Sequence, residues 1–117
     1  MQKFWLKEPA AHDFPAAADY LGLLFNESDV SNFVIELEKA KTITKKAKDV
    51  FRASTLKLLP KSNIHVSQCI KEVSKGKKLS PILLVKHEGK LIIADGYHRM
   101  CAIYYISEDD NIPCRLV

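Results

Sequence analysis

Apolar positions in the first half of the chain recur at helical spacing. Phe14, Ala17, Ala18, Leu21, Leu24 and Phe25 fall on one face, which predicts a helix with Asp13 as N-cap and Pro15 in its first turn. Val30, Phe33, Val34 and Leu37 mark a second helix, with Glu27 and Asp29 near its start and Lys39 and Lys41 near its end, an order that suits the helix dipole. Ile43, Ala47, Val50, Phe51 and Ser54 gather on one face of a third, leaving Lys45, Lys48 and Arg52 opposite. Such amphipathic faces cannot be buried by themselves. They are expected to pack on the second half, so that residues 1–117 form a single domain with a helical N-terminal part (1–58) and a mixed core (62–117).

After Leu59-Pro60 helix and strand signals alternate. Val66, Cys69, Ile70 and Val73 form a helical stripe that Gly76 would stop. Ile82 to Lys86 is an apolar run of strand length, His87-Glu88-Gly89-Lys90 reads as a hairpin loop, and Leu91 to Ala94 as the return strand. Tyr97 to Ile106 is apolar nearly all round, which predicts a buried helix. Asn111 and Pro113 open a last strand, Ile112 to Val117. The expected fold class is α+β or α/β, a small mixed sheet with helices.

Composition narrows the setting. Of 117 residues, 47% are hydrophobic and 27% charged, ordinary values for a globular chain. No apolar run approaches the roughly 20 residues needed to cross a bilayer, and Met1 to Pro9 has no apolar stretch of signal-peptide length. The expectation is a cytoplasmic protein with no membrane partner. Cys69, Cys101 and Cys114 show no zinc-finger or Cys-x-x-Cys spacing and sit among apolar neighbours, as core residues would. The net charge of +4 fits a partner that carries phosphates, whether a nucleotide, a phosphorylated small molecule or a nucleic acid. Lysines cluster at Lys45, Lys46 and Lys48 and again at Lys75, Lys77 and Lys78.

The chemistry gathers at one junction: strand, Asp95-Gly96, helix. Glycine lets the chain turn sharply and lets a ligand approach the backbone. The first N–H groups of the following helix lack partners within it, and the dipole adds positive potential there, so the terminus suits phosphate. Arg99 offers a bidentate guanidinium and His98 a donor or an acid–base group. Asp95 has two readings: it caps the helix, or it orients His98 or helps hold a magnesium ion. The same residues also fit an ordinary capped helix with His98 and Arg99 in solvent. His12, His65 and His87 fall at element edges, where surface or capping roles are expected. Phe4 and Trp5 are expected to anchor the N-terminal segment onto the body.

Three stretches together resemble the ParB/sulfiredoxin superfamily: Leu79-Ser80-Pro81-Ile82-Leu83-Leu84-Val85, Leu91-Ile92-Ile93-Ala94-Asp95-Gly96-Tyr97-His98-Arg99-Met100-Cys101-Ala102, and Asn111-Ile112-Pro113-Cys114-Arg115-Leu116-Val117. The resemblance implies a nucleotide- or phosphate-binding domain, with phosphoryl transfer or nucleotide hydrolysis as the activity and Asp95, His98 and Arg99 as catalytic residues. Gly96, Tyr97, His98, Arg99, Lys78 and Ser80 would line the phosphate site. The implied cofactor is an ATP- or CTP-type nucleotide with Mg2+, which Asp95 would help hold. Tyr97 stands where sulfiredoxins carry their nucleophilic cysteine, and His98 where ParB-type CTPases carry an arginine. The free-serine kinases of the superfamily, with Asp-Gly-His-His-Arg, match best at Asp95, Gly96, His98 and Arg99; they also use a carboxylate base, for which Glu72 and Glu88 are candidates. The alternative is a DNA-associated or regulatory binding module without catalysis, its contact surface the stripe Lys45, Lys48 and Arg52.

Overall fold

The computed structural model describes residues 4–117, so Met1 to Lys3 of the polar N-terminal stretch lie outside the described residues. Helix α1 spans Asp13–Leu21 and α2 spans Glu27–Lys39. A short strand β1 (Ile43–Lys46) runs directly into α3 (Ala47–Ser54). There follow α4 (Ile64–Ser74), β2 (Ile82–His87), β3 (Lys90–Asp95), α5 (Tyr97–Ile106) and β4 (Asn111–Leu116). The fold is therefore α+β, with a four-stranded mixed sheet in the order β1-β4-β2-β3.

Each element of the second half forms where its pattern indicates. Asn63 caps α4 by accepting from the backbone of His65 and Val66, and Gly76 beyond its end has φ of +84°, the left-handed stop expected of glycine. The β2–β3 hairpin turns on Glu88 and Gly89, both at positive φ (50° and 73°), the twist that a two-residue hairpin loop requires. β2 and β4 run parallel, with Ile82 opposite Cys114 and Leu84 opposite Leu116, so β3 and α5 together form the crossover between them.

The sheet is covered on both faces, and β2 is accordingly buried along Ile82–Val85 without alternation. Ile82 and Leu84 point into the larger cluster, with Val50, Phe51, Val66, Met100 and Ile103; Leu83 and Val85 point into a smaller one with Ala17, Leu21 and Leu37. Full burial of one such side chain stabilises the fold by about 1.5–3 kcal/mol. Trp5, 1% exposed, joins the larger cluster, and its segment is tied down by Leu6 N–H to Leu79 O and Leu79 N–H to Phe4 O, both 2.7 Å. Arg115 of β4 secures α2: it donates to the Leu37 and Glu38 carbonyls at 3.1 and 2.9 Å and pairs with Glu8. Carbonyls left over at a helix C-terminus are thereby satisfied by a cation, which the dipole favours.

Three expectations need correction. The third helix does not begin at Ile43. Ile43 to Lys46 pair antiparallel with β4, Ile43 opposite Cys114, and the helix starts at Ala47. Lys45 is therefore on a strand, while Lys48 pairs with Asp109 at 2.8 Å and Arg52 with Asp49 at 2.7 Å. Second, α1 ends at Leu21, leaving Leu24 and Phe25 in the connection to α2. Third, His12 takes the N-cap position of α1, and Asp13 is its first helical residue, 2% exposed. No helix among the described residues is long and apolar enough to cross a membrane. The thiols are free, Cys101 and Cys114 buried and Cys69 half-buried.

Candidate functional site

The junction between β3 and α5 is shaped by an irregularity in the sheet. Register is regular from His87–Lys90 up to Leu84–Ile93, then shifts so that Leu83 faces Asp95. Ala94 is the extra residue. Strict alternation would place Asp95 on the same face as Ile93; the bulge re-aims it to the face of its partner Leu83, where α1 packs. Gly96 then turns the chain at φ of +112°. A Cβ there would stand 3.0 Å from Arg99 Nη2 and 3.1 Å from Ile82 Cγ1, so both the conformation and the space require glycine.

The bulge brings Asp95 to Arg99 and Asp13. Arg99 donates from Nη2 to Asp95 Oδ2 at 3.1 Å and to the Pro81 carbonyl at 3.2 Å, and Asp13 Oδ2 lies 3.9 Å away. Ser80 donates to Asp13 and accepts from Ala10 N–H at 2.9 Å. This cluster ties α1, the segment before β2, the end of β3 and α5 together. Two carboxylates share one guanidinium. Burial raises the Asp95 carboxyl above its ordinary value, against the pull of Arg99 and with a further push from Asp13. Arg99 Nε is buried and lacks a hydrogen-bond partner among the described residues.

Outside the cluster, the first turn of α5 opens on two hollows. No side chain caps α5, so its leading N–H groups keep the orphan character of a helix start. One hollow, about 260 Å³, is lined by His65, Gln68, Cys69, Asp95, Gly96, Tyr97, His98 and Arg99. The other, about 340 Å³, is lined by Ala16, Tyr20, Leu56, Ile93 and Ala94 together with the same Asp95–His98 run. His98 is half-buried at the shared rim. Burial, the neighbouring His65 and Arg99 all push its imidazole below the ordinary value, which favours the neutral form, able to accept a proton at neutral pH. Tyr97 is held by its hydroxyl, which donates to the Lys57 carbonyl at 2.6 Å. Tyr105 does the same to Leu59 at 2.7 Å, so both tyrosines strap the 55–63 segment onto α5.

The structure thus brings together Asp95, Gly96, Tyr97, His98 and Arg99, with Ser80 behind them in the Asp13 cluster. Lys78 is exposed and is not among the residues lining the two hollows. Glu72 pairs with Lys77 at 3.2 Å, and Glu88 sits at the hairpin turn; neither lines the hollows. No group of three His, Cys, Asp or Glu among the described residues could hold a metal. Asp13 and His65 were not in the expected site. The pattern marks Asp13 only as a helix start, and nothing in the spacing of His65 shows that α4 sets it against α5. Compared with known proteins, the chain matches no protein-family model, no curated protein and no solved structure.

Proposed function

We propose that the β3–α5 junction binds a nucleotide or another phosphate-bearing small molecule, in the manner of the ParB/sulfiredoxin superfamily that its residues resemble. The observation that carries this reading is the uncapped start of α5, turned by Gly96 into two hollows with His98 at their common rim. Orphan N–H groups and the dipole favour a phosphate there. His98, favoured in its neutral form before a ligand binds, can take up a proton and give it to a leaving group, which suits proton transfer. That supports phosphoryl transfer or nucleotide hydrolysis as the activity. Arg99 is held by Asp95 and Pro81, so its charge acts from beneath the helix start rather than as an open fork.

A metal in this site would arrive with the ligand. Magnesium is commonly held through one or two carboxylates plus substrate phosphates, and Asp95 is the carboxylate lining both hollows. When bound, the ion would offset the charge that two carboxylates and a phosphate bring together. A nucleic-acid-binding role has less support, because Lys48 and Arg52 each face a carboxylate and Lys45 is on β1 rather than on one helix face with them.

Thermal shift with ATP, ADP, CTP and GTP, with and without magnesium, tests the reading. A ligand at about 100 times its dissociation constant adds about 2.7 kcal/mol of stability. The expected result is a rise of melting temperature with at least one nucleotide, reduced in a folded His98→Ala variant. No rise with any of them removes the proposal.

A further inference from the structure

A second imidazole stands against His98 in the smaller hollow. His65, in the first turn of α4, has its ring centroid 4.8 Å from that of His98, with the planes tilted by 54°. The two residues come from the starts of two helices that pack on each other. His65 is exposed and His98 half-buried, so an incoming ligand reaches both from solvent. We propose that His65 and His98 form a two-imidazole clamp for the ligand's phosphate, and that binding takes up protons onto them. The proposal rests on the reading of this hollow as a phosphate site and adds to it a residue, His65, and a pH dependence.

The charge balance around the pair gives the reason. Facing His98 are His65 and Cys69 from α4, Asp95 from β3, Tyr20 from α1 across the other hollow, and Tyr97 and Arg99 from its own helix. Asp95 is engaged by Arg99. The Cys69 thiol is pushed up by burial and the Tyr97 hydroxyl likewise, so both stay protonated through the neutral range. Imidazole is the side-chain type in the hollow that responds to pH in that range. Without a ligand, two imidazoliums at this separation repel each other, and Arg99 adds to the repulsion. A phosphate or sulfate that meets the edges of both rings reverses the balance, since each ring then donates a charge-assisted hydrogen bond to an anionic oxygen. Binding and protonation therefore reinforce each other.

Isothermal titration with sulfate and with ADP at about pH 8, 7 and 6 tests this, sulfate serving because its own charge is constant over that range. The expected result is affinity that strengthens as pH falls, by about tenfold per pH unit for each proton taken up. His65→Asn is expected to bind more weakly than the parent, increasingly so as pH falls, and to lose the part of the slope that His65 contributes. Histidine ring signals followed by NMR in the unaltered protein are expected to show both titrations moving upward when sulfate is added. If ADP and sulfate bind with no pH slope, or His65→Asn keeps the full slope, the clamp is wrong while the phosphate site stands. If neither probe binds at any pH, the phosphate site falls and the clamp with it.

Discussion

Replacing Gly96 by alanine tests the geometry of the junction without removing a charged group. Gly96 sits at φ of +112°, and forcing an L-residue to positive φ costs about 1–2 kcal/mol. The new methyl would also meet Arg99 Nη2 at 3.0 Å and Ile82 at 3.1 and 3.2 Å. Neither neighbour can retreat freely, because Ile82 is fully buried and Arg99 is held by Asp95 and Pro81. Overpacking of this kind adds about 1–3 kcal/mol, for a total of roughly 2–5 kcal/mol. Gly89 provides the control. It has φ of +73°, but a Cβ there would meet nothing within 4 Å, so Gly89→Ala should show the conformational cost of about 1–2 kcal/mol alone. Urea denaturation of the three proteins measures the difference as a change in midpoint at unchanged slope. A loss in Gly96→Ala no larger than in Gly89→Ala would refute the close approach of Arg99 and Ile82 to that backbone.

Other consequences are open to measurement. Asp13→Ala should destabilise by about 1–3 kcal/mol, the cost of leaving its buried hydrogen-bond partner unsatisfied while Arg99 keeps Asp95, and Ser80→Ala by about 1–2 kcal/mol. The double variant should lose less than the sum in a denaturation cycle, since both act through one hydrogen bond. Stability should fall as pH drops below the ordinary histidine value of 6.5 and through the lowered value of His98, because the unfolded chain binds the proton first; His98→Asn should flatten that part of the profile. The single tryptophan, Trp5, is 1% exposed, so its emission should be blue-shifted and shielded from acrylamide. Trp5→Ala should cost about 3–5 kcal/mol by denaturation.

Much of the second half was legible in the chain, because its elements are punctuated locally. Gly76 ends α4, Glu88-Gly89 closes the hairpin, and Gly96 separates β3 from α5. β1 was not legible. All four of its residues are exposed, so burial leaves no alternation, and its pairing partner β4 lies far along the chain. It also feeds α3 without a loop, which extends the apparent helical stripe backward from Ala47 to Ile43. At the site, the run Asp95–Arg99 could be found from the strand-to-helix change. The inward turn of Asp95 could not, because it depends on a bulge set by pairing with Leu83. Asp13 was misplaced for a similar reason: an aspartate at a helix start reads as a cap, whereas here its carboxylate is drawn inward by Ser80 and Arg99.

The central claim is that a phosphate sits at the start of α5, and amide NMR during titration with ATP and magnesium addresses it residue by residue. The account predicts that the amide signals of Tyr97, His98, Arg99 and Met100 move first and furthest, accompanied by His65 and with little change at the Glu88–Leu91 turn. Signals that stay in place at the start of α5 while ATP binds elsewhere, or that do not move at all, would contradict it.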